Sequence, residues 1–129
     1  MPLLPLLALA GLAVFLACAI PAGCSRIVPW QAPAAICAAF FAYSLWPVLT
    51  MGPLGFWPKH VSDPWSVQIW FDLLCAIGVG WALLGPRARA AGLVPWPWLA
   101  LILVTGSIGL LAMLARVLYR ERGIGTATA

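Results

Sequence analysis

Four stretches of the chain carry no charged side chain or a single one: residues 1–25, 27–58 and 90–115 are free of charge, and 64–86 is broken only by Asp72. A bilayer's hydrocarbon core of about 30 Å is crossed by about 20 apolar residues at helical rise, so each stretch is long enough to span it. Backbone groups in hydrocarbon must pair within a helix or a closed barrel. The runs lack the period-two alternation of barrel strands, which leaves helices. The pattern predicts an all-α integral membrane four-helix bundle with short loops: one transmembrane domain over 1–129, helices at about 3–20, 30–50, 64–84 and 94–119, and a frayed polar tail at 123–129.

Proline and glycine set the expected boundaries. Pro21 and Gly23 close the first helix, since proline cannot continue a helix and glycine suits its end. Pro29 and Pro33 fit the first turn of the second, and Pro47 would kink it near its far end. Residues 51–58, with Gly52, Pro53, Gly55 and Pro58, read as an interfacial loop. Asp63 followed by Pro64 is a strong start signal for the third helix, which ends at Gly85-Pro86. Pro95 and Pro97 open the fourth. Trp30, Trp46, Trp57, Trp65, Trp96 and Trp98 fall near span ends, where an apolar ring with one N–H donor suits the headgroup zone. The first run lacks the basic n-region of a secretory signal and its apolar part is too long for one, so it is read as an uncleaved helix.

Composition narrows the class further. The hydrophobic share is 64% and the mean hydropathy +1.04, well above the roughly 45–50% apolar share of soluble domains. The net charge of +4 comes from residues that flank the apolar runs, and no basic face with stacking or groove-reading elements accompanies it, which argues against nucleic acid. Cys18, Cys24, Cys37 and Cys75 form no CxxC pair and read as small hydrophobes. No metal site and no cofactor is expected, because His60 lacks companion ligands and the loop it occupies is solvated. With four crossings, Arg26, Arg87 and Arg89 lie at one membrane face, and Lys59, Arg116, Arg120 and Arg122 at the other. That balance gives the positive-inside rule little to act on, with a slight lean to both termini in the cytoplasm.

Candidate chemistry concentrates on one residue. An aspartate at a helix centre costs at least about 2.5–3.5 kcal/mol on insertion scales, so Asp72 demands an explanation. Gln68, Asp72, Ala76 and Gly80 recur every fourth residue along one stripe of the third helix, expected to face another helix. Gly106, Ser107, Gly109 and Ala112, leading to Arg116, offer a matching face on the fourth. If the turn centres near Ala90, these helices run antiparallel and Asp72 is level with Ile108. A tie from Asp72 to Thr105, Ser107 or Arg116 is then expected, with Asp72 and Arg116 as the candidate catalytic or proton-handling pair. Ser44, Ser62, Ser66 and Ser107 have no base at a recognisable spacing, and no phosphate-binding glycine loop is present.

From Ser62 onward the chain resembles small bacterial four-helix membrane proteins of an uncharacterised-domain family, related to the membrane proteins associated with neoxanthin formation and abscisic-acid deficiency. The residues that carry the resemblance are Asp63-Pro64-Trp65, Phe71-Asp72-Leu73, the basic turn Arg87 to Arg89, and Thr105-Gly106-Ser107-Ile108-Gly109-Leu110-Leu111 leading to Arg116. It implies a multi-pass protein of a bacterial inner membrane in which Asp72, Gly106, Gly109 and Arg116 are the positions to test. The expected function is a non-enzymatic, self-associating membrane protein or a subunit of a larger membrane complex, with the lipid bilayer as its first partner. Two alternatives stand beside it: an enzyme or binding protein for an isoprenoid or carotenoid-type lipid using Asp72, and a small proton-coupled transporter.

Overall fold

The structure, a computed structural model, describes residues 3–24 and 28–127. It is all-α, with no strand among the described residues. Six helices follow one another: α1 (Leu3–Cys24), α2 (Gln31–Met51), α3 (Phe56–His60), α4 (Pro64–Ala90), α5 (Pro95–Thr105) and α6 (Ser107–Ala127). By length and composition α2 and α4 are apolar enough to cross a membrane.

Several boundaries differ from expectation, each for a local reason. α1 runs through Pro21 to Cys24, and α4 runs through Pro86. A proline forfeits one backbone bond, which costs less than leaving a whole turn of N–H and C=O groups unpaired. What ends α4 is Gly92: at φ +73° it lets Leu93 N–H donate to Ala88 C=O (2.8 Å) and Gly92 N–H to Arg89 C=O (3.0 Å), the paired closure of a Schellman turn. α4 begins where Asp63 and Pro64 place it; the Asp63 carboxylate accepts from Ser66 N–H at 3.0 Å. The expected loop at 51–58 winds instead into α3, whose Phe56, Trp57 and His60 rings gather on Trp70 of α4. His60 is thus half-buried among aromatic rings, not a solvated loop residue. The tail expected from Gly123 is helical to Ala127.

The largest departure is in the fourth expected span. It is two helices, broken at Gly106, whose backbone takes φ +62° and ψ −126°. The chain reverses there. A Cβ placed on Gly109 would lie 2.9 Å from the Cα of Ile102, seven residues earlier, so α6 folds back tightly along α5. Because α5 already runs opposite to α4, α6 then runs parallel to α4: Ile77 faces Gly106, Gly80 faces Leu110, and Arg87 pairs with Glu121. Against α2, α6 is antiparallel, with Trp30 beside Tyr119 and the Cys37 thiol donating to Ile108 C=O at 3.4 Å.

α6 is consequently the hub, packed on α2, α4 and α5. The core is small: Leu84, Ala88, Ile102, Met113 and Val117, with Ile77, Trp81, Trp98 and Leu114 among the side chains around it. It occupies the half of the unit nearest the α4–α5 turn. Beyond the Gly106 turn, α3 is the described helix that packs against the first half of α4. α1 joins none of the packed helix pairs, and its side chains at 3–17 are exposed.

Candidate functional site

The parallel course of α4 and α6 brings together charges that the chain separates by some 30 positions. Arg87 near the end of α4 donates from Nε to Glu121 Oε1 (3.0 Å) and from Nη2 to Glu121 Oε2 (2.7 Å), a bidentate fork. The two side chains remain 48% and 37% exposed, so water still screens the pair. Arg89 follows on α4, and Arg116, Arg120 and Arg122 on α6 lie at the same end. Arg116 sits over the Tyr119 ring, its guanidinium carbon 5.7 Å from the centroid, in cation–π range. Tyr119 in turn meets Trp30 edge to face at 5.3 Å.

A cleft of about 550 Å³ opens here, between the start of α2, the end of α4 and the second half of α6. Val28, Pro29, Trp30 and Leu118 form its apolar wall, and Arg87, Glu121 and Arg122 its charged rim. The indole N–H of Trp30 is buried without an acceptor among the described residues. Such a donor is costly to leave unpaired. The arrangement offers cations and apolar surface side by side. It includes no nucleophile paired with a base, and no group of three metal-ligating side chains exists among the described residues.

The opposite end of the unit carries Lys59, His60 and Asp63. There Asp63 accepts from Ser66 N–H, Ser66 Oγ (2.8 Å) and Ser62 Oγ (3.0 Å). These hydrogen bonds, the Ser66 backbone bond foremost, hold the Asp63 carboxyl below the ordinary aspartate range.

Of the residues singled out in the sequence, some meet and others do not. Gly80 lies against Leu110: a Cβ on it would come within 2.5 Å of the Leu110 side chain. Gly109 packs on α5 instead of α4, and Gly106 is the turn, with Ile77 at its tip. Ser107 and Ala112 are half-buried on α6. Thr105 spends its hydroxyl on Leu101 C=O at 2.7 Å. Asp72, Gln68 and Ala76 are exposed on α4, and no described residue gives Asp72 a hydrogen bond or ion pair.

The expected tie from Asp72 to Thr105, Ser107 or Arg116 is therefore absent, and the antiparallel register with Ile108 is replaced. With α6 parallel to α4, Arg116 is level with Leu84, which puts it about 18 Å along the axis from Asp72 at 1.5 Å per residue. Asp72 lies past the hairpin tip, where nothing on α6 can reach it. The expected split of the arginines between two faces is likewise corrected, since Arg87, Arg89, Arg116, Arg120 and Arg122 share one end. Arg26 and the side chains of Cys18 and Cys24 lie outside the described residues.

The cleft was not singled out from the sequence, whose reading placed Arg87 and Arg122 at opposite membrane faces. The only available signal was the acid at position 121 amid arginines, and without the chain reversal nothing links it to Arg87. Comparison with protein-family models, curated proteins and solved structures finds no match to this chain.

Proposed function

We propose that this chain is a multi-pass integral membrane protein without catalytic chemistry of its own, acting as a self-associating unit or as a subunit of a larger membrane assembly. Four segments enter the bilayer in this reading: α1, α2, α4 and the α5–α6 hairpin. α5, with 11 residues, reaches only part-way and returns. Non-helical backbone at membrane depth is tolerated where its polar groups are covered, and the half-buried Gly106 turn, with Ile77 beside it and its N–H donating to Ile102 C=O, supports this reading.

The observation that carries the proposal is the exposure of Asp72 and Gln68 on α4, among the exposed apolar side chains Ile69, Val79 and Leu83. A carboxylate at mid-span is expensive against lipid tails and is stabilised by a polar neighbour on another helix. No helix of the packed unit covers this face. A second subunit would, with Gln68 one turn from Asp72 to supply the N–H donors and Ala76 to allow close approach.

The test is extraction and size. The chain should resist alkaline carbonate washing of membranes, and in mild detergent should run as a multiple of its own mass. Asp72→Leu should shift it toward monomer while Asp72→Asn, which can still exchange hydrogen bonds, should retain the assembly. A monomer at every detergent concentration would reject self-association, and an assembly indifferent to Asp72→Leu would reject the Asp72 face as its interface.

A further inference from the structure

The arginine-bearing end raises a separate question, because tertiary structure collects there a charge that the sequence spreads out. Arg87, Arg89, Arg116, Arg120 and Arg122 lie toward one end of the parallel α4 and α6, and the one side-chain carboxylate among the described residues at that end, Glu121, takes the Arg87 fork. The other end carries Lys59 and Asp63. Segments rich in arginine stay on the cytoplasmic side of a membrane, so among the described residues five arginines against one lysine define an orientation. The guanidinium group presents a planar fork matched to phosphate oxygens and is less strongly hydrated than an ammonium. Beside these groups the cleft supplies an apolar wall from Pro29, Trp30 and Leu118. A free phosphate would leave that wall unused. A molecule with an anionic phosphate head and an apolar body uses both.

We propose that this end is a docking surface for the anionic phospholipid headgroups of the cytoplasmic leaflet, the phosphate lying among the arginines and the glycerol and first methylenes lying against Trp30 and Leu118. It faces the cytoplasm, while α3 and the start of α4 face the opposite side. The inference rests on the membrane reading above, yet it concerns a different part of the molecule from Asp72. Basic residues near an anionic surface each strengthen partitioning by about fivefold, so a pair of neutralised arginines gives a measurable loss.

The experiment uses the full chain in detergent, titrated with short-chain phosphatidylglycerol and with phosphatidylcholine, and read by native mass spectrometry. The expected result is a preference of at least about tenfold for phosphatidylglycerol, abolished in the Arg89→Gln/Arg120→Gln double variant, since two arginines at about fivefold each carry about 25-fold; both side chains are exposed and neither belongs to the core. Equal binding of the two lipids, or an unchanged preference in the double variant, overturns the proposal. So does displacement of bound phosphatidylglycerol by millimolar inorganic phosphate, which would show a free-anion site. In intact cells, a cysteine introduced as Ser62→Cys into a cysteine-free chain should react with a membrane-impermeant thiol reagent, and one introduced as Arg120→Cys should not; the reverse pattern also overturns it. Release of the chain by carbonate would overturn the membrane reading and the leaflet assignment with it, whereas a chain retained in the membrane that binds the two lipids equally would overturn the docking surface alone.

Discussion

With φ +62° and ψ −126°, Gly106 sits in a backbone region that strains any residue carrying a Cβ. Its neighbours Thr105 and Ser107 have ordinary helical geometry, so one residue absorbs the whole reversal. Asp63 is the other position where one side chain decides an element's end, and it makes a pH prediction. Its folded-state pKa is lowered, so the cap is at full strength above the ordinary aspartate range and is lost as pH falls through the folded value. Amide protection at Ser66, corrected for intrinsic exchange, should fall in that acidic window in the native chain. In an Asp63→Asn variant, whose side chain caps without titrating, protection should not vary with pH there. Equal acid sensitivity in both chains would assign the loss to another group.

At the scale of elements, the α5–α6 pair depends on close backbone approach. Gly109 is buried and a Cβ there would meet Ile102 N and Cα at 2.9 Å and Thr105 Oγ1 at 2.8 Å. Backbone cannot yield as a flexible side chain can, so Gly109→Ala should force the hairpin apart at a cost of about 1–3 kcal/mol, the usual range for overpacking. Gly78 on α4 is the control: nothing lies within 4 Å of its Cβ position. Gly78→Ala should leave the thermal midpoint unchanged or raise it slightly, since alanine favours helix by up to about 1 kcal/mol. A straight fourth span would give the opposite ranking, with Gly109 free to change. The glycines at 106 and 109 were legible in the sequence as a small-residue face; that the face serves a turn and α5, and not α4, was not, because spacing along a helix does not say which neighbour it meets.

For the molecule as a whole, what is notable is how little it buries against itself. Met113 and Val117 are the largest fully buried side chains, and most large hydrophobics on α1, α2 and α4 are exposed. Stability of the packed unit therefore rests on the contact of α6 with three neighbours. Met113→Ala, which empties the centre of that contact, should cost at least about 2 kcal/mol, read as a lower thermal midpoint of the detergent-solubilised chain. Leu9→Ala on α1, outside the packed pairs, should leave that midpoint alone. Comparable losses from the two substitutions would mean that α1 shares the core.

The sequence by itself determined that the chain is all-α in class, where its long apolar segments lie, that Asp63 and Pro64 start a helix, and that Asp72 is the one acid within an apolar run. These are local properties: hydropathy, propensity and capping act over a few residues. Tertiary structure alone decided the direction of α6, and with it the gathering of five arginines at one end and the isolation of Asp72 on an uncovered face. The physical reason is that a glycine can either continue a helix or reverse it at little difference in local energy, so the choice at Gly106 is made by the packing of Ile102, Met113 and Val117 against α4, contacts that no stretch of sequence contains.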